Sequence, residues 1–144
     1  MQAIPHLNFK GNCREAFKEY AEILGGRIVF SMTYGETPMG GQVSQDQRDR
    51  IAHARLDFGG RAILGADPPA EHYHQPAGFS LMVEADDPAE AERVFNALAK
   101  GGTITMPFGE TFWARRFGGC VDRFGIPWMV NCGKPLDSLK SRGT

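Results

Sequence analysis

The sequence predicts an α+β fold made of one supersecondary unit, strand–helix–strand–strand–strand, written twice. Two amphipathic segments of helical period recur at an offset of 75, so that Asn12 and Glu15 fall on Asp87 and Glu90. At the same offset Ala16, Tyr20, Ile23 and Leu24 fall on Ala91, Phe95, Leu98 and Ala99. Each segment ends at a glycine pair and is flanked by short extended runs. Cap, apolar stripe, terminator and following strand therefore repeat together, which is harder to produce by chance than one helix matching another.

The first helix is predicted over Cys13–Leu24, with Ala16, Phe17, Tyr20, Ile23 and Leu24 on one stripe. Asn12 followed by Glu15 resembles a capping box, and Gly25-Gly26 ends the helix because glycine takes the left-handed conformation cheaply. Extended pattern precedes it at residues 4–9 and follows at 27–34, 52–58 and 61–65. The second helix is predicted over residues 88–100, with Asp87 as N-cap, Pro88 in the first turn and Gly101-Gly102 as terminator. Ala91, Val94, Phe95, Leu98 and Ala99 form its buried stripe. Strands are expected at 79–83, from 103 to 106, at 113–121 and at 127–132. Module one thus runs over about 1–66, a linker over 67–76, module two over 77–133 and a tail over 134–144, all in one domain. The polar, glycine-rich stretch 35–50 reads as a long loop, and loops of that length are usually functional or mobile.

Composition bounds the function. The chain has 144 residues, 42% hydrophobic and 23% charged, as an ordinary globular domain has. That excludes a disordered chain, a collagen-like chain and a coiled coil. Sixteen basic residues against seventeen acidic ones give a formal charge of −1, which points to no nucleic acid and no anionic membrane as partner. The N-terminus lacks the basic and apolar regions of a signal peptide, and no apolar run approaches a membrane span. Cys13, Cys120 and Cys132 are odd in number and lack C-x-x-C spacing, so a cytoplasmic chain with free, buried thiols is expected.

Five motifs extend from the first helix to the last strand: Phe9-x-Gly11-Asn12-Cys13, Tyr34-Gly35-Glu36-x-Pro38, Ile51-Ala52-His53-Ala54, Glu110-Thr111-Phe112-Trp113-Ala114, and Asp122-x-Phe124-Gly125-x-Pro127-Trp128-Met129-x-Asn131. With the duplicated unit, they make the chain resemble the PhnB-like family of the vicinal-oxygen-chelate superfamily, which also holds glyoxalase I, extradiol dioxygenases and bleomycin-resistance proteins. The family is sometimes labelled as demethylubiquinone methyltransferase-like. The resemblance implies tandem βαβββ modules forming curved mixed sheets, the glyoxalase/bleomycin-resistance-like fold, and a homodimer. It implies no defined reaction. No glycine-rich strand-to-helix turn is present to hold a nucleotide cofactor, and no cofactor is expected.

In the metal-dependent relatives, four side chains from the first and last strands of each half hold a divalent ion. Here the corresponding positions align on Pro5 (His6 beside it), on Gly65 among Ile63, Leu64 and Gly65, on Phe79 or Ser80, and on Met129 after Trp128. These are poor ligands for a hard ion, so no metal is expected. A shift that put His6 in place of Pro5 would turn its side chain to the opposite strand face. His72-x-His74 has a metal-like spacing but lies in the proline-rich linker, where a solvated loop is the plainer reading.

The chemical candidates are few. His53, Arg55 and Asp57 share one face of a strand, so His53 is either an acid–base catalyst or a surface or interface histidine. Glu110, Trp113 and Arg115 combine a carboxylate, a flat apolar surface and a guanidinium, the makings of a ligand pocket. A Glu beside aromatics can have a raised pKa suited to proton transfer, and a solvated Glu110 beside core aromatics is the other reading. Trp128 reads as core, and Asp122 as a turn residue bonding local amides. The expectation is a metal-independent protein that binds a small molecule of unidentified chemistry, with possible enzymatic activity. His53 and Glu110 are its catalytic candidates, and Glu36, Trp113 and Arg115 its ligand contacts. Two alternatives stand beside it: a divalent-metal lyase or dioxygenase, and a drug-sequestering resistance protein.

Overall fold

The structure is a computed structural model describing residues 1–133. The tail expected over residues 134–144 lies outside the described residues. The chain divides into two compact units, Met1–Gln75 and a second beginning at Pro76. The first contains β1 (His6–Asn8), α1 (Cys13–Leu24), β2 (Arg27–Thr33), α2 (Gln45–Arg48), β3 (Ile51–Phe58) and β4 (Arg61–Ala66). Its four-stranded sheet has the order β1-β4-β3-β2, with β1 parallel to β4 and the other pairs antiparallel. The second contains β5 (Leu81–Glu84), α3 (Pro88–Ala99), β6 (Thr103–Gly109), β7 (Ala114–Val121) and β8 (Pro127–Gly133). Its sheet repeats the pattern as β5-β8-β7-β6, with β5 parallel to β8. This is the α+β fold of two βαβββ repeats that the periodicity predicts.

Each sheet buries one face under its helix. In the first unit α1 packs on β2 and β3, and Phe9, Phe17 and Tyr20 meet at ring separations of 6.0 to 6.4 Å. Strand β4 reaches α1 through Gly65, where a Cβ would stand 2.6 Å from the Phe17 ring. Any larger residue there would push the helix off the sheet. In the second unit Phe95 of α3 stacks on Phe108 at 5.1 Å, above buried Trp128, Val130 and Ile126.

The helix starts differ in mechanism. Asp87 caps α3 as expected, its Oδ2 accepting from Glu90 N at 3.1 Å. Asn12, read as the cap of α1, makes no side-chain cap bond. The cap comes instead from Asp67, whose Oδ1 accepts from the amides of Gly11 and Cys13, both at 3.0 Å. Its Oδ2 accepts from Ile51 N at 2.9 Å. The main chain of Asp67 is engaged too, its N–H donating to Ile51 O at 2.7 Å and its carbonyl accepting from Gln47 Nε2 at 2.7 Å. Asp67 is 1% exposed. The sequence pattern assigns it to the linker, because a partner set 54 residues away leaves no local spacing to read.

Two further readings change. The stretch 35–50 is a loop only in part, since it carries the end of a 3₁₀ turn (Tyr34–Glu36) and α2, whose Gln47 is buried against Asp67. Strand β1 is shorter than residues 4–9, beginning only where parallel pairing to β4 starts. Asp122 is the turn residue expected, with Oδ1 accepting from Phe124 N at 2.9 Å and Ile126 N at 3.0 Å. Its Oδ2 also accepts from the indole N–H of buried Trp128 at 2.8 Å. The three cysteines are free and buried. Burial, and then the Asp67 carboxylate, push the Cys13 thiol far up. Burial and Asp122 push Cys120 up to about 11, so neither is a thiolate nucleophile near neutrality. No helix among the described residues is long and apolar enough to cross a membrane.

The Asp67 hub has a measurable consequence. Asp67→Ala leaves two buried amides and one part-buried amide without acceptors and should destabilise the protein by more than about 3 kcal/mol in urea unfolding. Asp67→Asn keeps the shape and one carbonyl acceptor, and should cost about 1–3 kcal/mol. Equal, small effects for the two variants would remove the hub from the account.

Candidate functional site

The face of each sheet away from its helix is open, and register decides what stands on it. In the first unit one row crosses all four strands: His6, Leu64, Arg55, Phe30. His53 lies two residues from Arg55 on the same face and pairs with Met32 of β2. Ala54 and Leu56, which alternate with these residues, are buried. Phe30 and His53 rings are 5.7 Å apart. Arg55 Nε donates to Asp57 Oδ1 at 2.8 Å. His53, Arg55 and Asp57 thus share an open face as alternation requires.

His6 joins this group. Leu7 turns under the helix, so His6 and Asn8 turn to the open side. Burial, and secondly the charge of His53, hold the His6 imidazole below its ordinary value of 6.5. The alignment on Pro5 is therefore out by one residue, since Pro5 precedes the strand. The alignment on Gly65 fails likewise, because Gly65 faces Phe17 and Cys13 of α1. In the second unit Phe79 and Ser80 precede β5, whose open-face residue opposite Met129 is Met82.

The same register tests the metal centre that the superfamily implies. The equivalent open-face pairs are His6–Leu64 and Met82–Met129. Neither the imidazole and aliphatic chain of the first unit nor the two thioethers of the second fit a hard divalent ion, which takes carboxylate and imidazole. No group of three or more His, Cys, Asp or Glu among the described residues is disposed to hold a metal.

The remaining candidates divide between the units. Glu36 ends the 3₁₀ turn that follows β2, and its Oε1 accepts from Thr33 N at 3.1 Å and Thr33 Oγ1 at 2.8 Å. Those bonds, the backbone one first, hold its carboxyl below the ordinary range. Glu110 and Trp113 lie in the β6–β7 connection of the second unit, and Arg115 lies on β7. Thr111 closes that connection, its N–H donating to Ala114 O at 3.2 Å while its Oγ1 accepts from Ala114 N at 3.1 Å. Glu110 is exposed. Trp113 meets Phe112 edge-on at 4.7 Å and Phe117 at 5.4 Å. Arg115 is exposed on β7, which begins at Ala114, and its carbonyl accepts from Arg116 Nη1 at 2.6 Å.

Sequence reasoning missed three open-face features. In the sequence Phe30 carries no signal beyond its strand, and Asn131 none beyond its motif. Met82 and Met106 become neighbours of Met129 on one face only through long-range register.

Comparison with known proteins agrees with this fold. A family model described as 3-demethylubiquinone-9 3-methyltransferase matches residues 1–131. Protein YjdN of Escherichia coli (strain K12) is 34% identical over 142 residues, covering 93% of this chain and 97% of YjdN. The crystal structure of PA1353 from Pseudomonas aeruginosa is 46% identical with a TM-score of 0.85, covering 94% of this chain and 99% of that one. A Bacillus cereus structure described as a putative 3-demethylubiquinone-9 3-methyltransferase, PhnB protein, is 26% identical with a TM-score of 0.79. It covers 91% of this chain and 98% of the Bacillus chain.

The His6–His53 relation is open to a titration. His6 should titrate below 6.5 by NMR, and His53→Ala should move it only part of the way back, because burial is the larger cause. With the native pKa depressed, protonating His6 opposes folding, so its contribution to stability is lost as pH falls below 6.5. A His6 midpoint unmoved by His53→Ala would separate the two rings.

Proposed function

Because this chain belongs to the PhnB-like family described by the 3-demethylubiquinone-9 3-methyltransferase model, we propose that it binds a small organic molecule on its open sheet faces without a metal ion. The observation that carries this reading is the make-up of those faces. Each sheet spends one side on its helix and presents aromatic, polar and titratable groups together on the other, as small-molecule sites do. In the first unit His53 is the acid–base group, with Phe30 beside it as apolar surface. In the second, Trp113 supplies a flat surface, Arg115 a guanidinium, and Glu110 a carboxylate for proton transfer or orientation. Glu36 retains Oε2 for a ligand donor after Thr33 has taken Oε1.

The family description names methyl transfer. The strand–helix junctions give that reading little support as nucleotide or cofactor cradles, because internal carboxylates already occupy their amides. Asp67 takes those of Gly11 and Cys13, and Asp87 takes that of Glu90. Free, buried thiols favour a reducing compartment, the cytoplasm.

A metabolite screen by thermal shift in EDTA tests the site. For a compound that raises the melting temperature, His53→Ala or Glu110→Gln should melt like the parent yet lose most of the shift. A parent-like shift in both variants would take both acid–base candidates out of the reading. A shift that appears only with a particular divalent ion would overturn metal independence.

A homodimer belongs to the same proposal. The sheets end on β1 and β2 in one unit and on β5 and β6 in the other. Edge strands β2 and β6 expose Ile28 and Val29, and Ile104, outside the residues read as ligand surface. Such edges call for cover. Light scattering at micromolar concentration should give twice the 15.8 kDa chain mass. A chain of single mass would refute it.

A further inference from the structure

The second unit holds a feature that the candidates above do not use. One row of its open face reads Met82, Met129, Gly119, Met106 across the four strands. The three methionines are 52%, 38% and 38% exposed in the order Met82, Met129, Met106. Gly119 has no side chain in the middle of the row, where Thr105 Oγ1 and Met106 Cβ stand 3.0 and 3.8 Å from the position a Cβ would take. Flexible, polarisable thioethers around a strand position without a side chain form a soft bed that can fit a flat ring.

The adjacent row supplies direction. It reads Glu84, Asn131, Phe117, Gly109. Phe117 is covered by Trp113, whose own ring is 38% exposed. The Oδ1 of Asn131 is buried and has no hydrogen-bond partner among the described residues. A buried carbonyl oxygen without a donor is costly, and such an orphan calls for one. Beside it in register stands the exposed carboxylate of Glu84, a second acceptor. Two acceptors at the edge of an apolar bed select a ring whose edge carries N–H donors.

We propose that this face binds a flat aromatic compound bearing an amino group, the ring lying on the methionine row and the amino N–H donating to Asn131 Oδ1. Glu84 favours a positively charged amine over a neutral one, and an aromatic anion is disfavoured. The proposal rests on the reading that the open faces take small molecules, but it uses neither His53 nor Glu110.

The test measures fluorescence anisotropy of three planar probes at neutral pH: 9-aminoacridine, 10-methylacridinium and anthracene-9-carboxylate. The first two are cations, and only the first carries N–H donors. The parent should bind 9-aminoacridine about tenfold more tightly than 10-methylacridinium, the worth of one well-placed hydrogen bond. The carboxylate should bind most weakly. Asn131→Leu should bring the two cations to equal affinity, whereas Asn131→Asp, which keeps an acceptor, should preserve the preference. Met129→Ala should weaken both cations alike. Melting curves for each variant identify any that is misfolded, and Asn131→Ala, for which equal affinity of the two cations is likewise expected, carries the test if Asn131→Leu unfolds. Equal affinity of the two cations for the parent, or an unchanged preference in a folded Asn131→Leu, would overturn the proposal. If neither cation binds while a screened metabolite gives a shift that His53→Ala removes, this inference falls and the broader reading stands.

Discussion

Asp67 carries a carboxylate into the interior of the first unit, where three main-chain amides replace the water it loses. Those amides come from places far apart in sequence: the turn before α1, the first residue of α1 and the first residue of β3. Asp67 itself follows directly on β4. One side chain therefore ties the start of the helix to the start of one strand and the end of another. Moving any of these pieces by a residue would leave a charge or an amide buried without a partner, an error of several kcal/mol. That penalty helps hold the β1–β4–β3 register, and the register in turn puts His6, Arg55 and Phe30 in one row.

The second unit meets a similar requirement with local parts. Asp122 binds two amides of its own turn and the Trp128 indole six residues on, and Asp87 caps α3. The two units thus share a layout without sharing the interactions that secure it. Their open faces differ more. The row His6, Leu64, Arg55, Phe30 in one unit stands where Met82, Met129, Gly119, Met106 stands in the other. Positions under a helix are constrained by close packing, as Gly65 against Phe17 illustrates. Positions on the open side carry no such constraint, so their chemistry is free to follow a ligand.

This division also explains what could be read from the sequence. Both helices, their glycine stops, the strand order along the chain and the buried role of Trp128 follow from periodicity and local signals. So does the shared face of His53, Arg55 and Asp57, because alternation within one strand is local information. The Asp67 hub was missed because its partners lie across the unit, and a carboxylate followed by two prolines looks like a linker. The metal positions slipped because Pro5 and Phe79 read as strand residues, whereas pairing begins only at His6 and Leu81. A slip of one residue reverses the face, which is why His6 was set aside. The methionine row is a product of register alone, and no periodicity within β5, β6 or β8 singles it out.

The donor set on the open faces has a further consequence for chemistry. A hard divalent ion activates a substrate oxygen by drawing charge from it, and neither the His6–Leu64 pair of the first unit nor the Met82–Met129 pair of the second offers the carboxylate and imidazole donors such an ion takes. The charge on each face is set by its own titratable groups and fixed dipoles. In the first unit His6 and His53 are the imidazoles available, and the charge of His53 adds to burial in making protonation of His6 harder. A ligand carrying negative charge would relieve that repulsion, whereas the face bearing Glu84 and the Asn131 carbonyl in the second unit opposes the same charge. Charge therefore distinguishes the two faces even though they are built on one repeated scaffold.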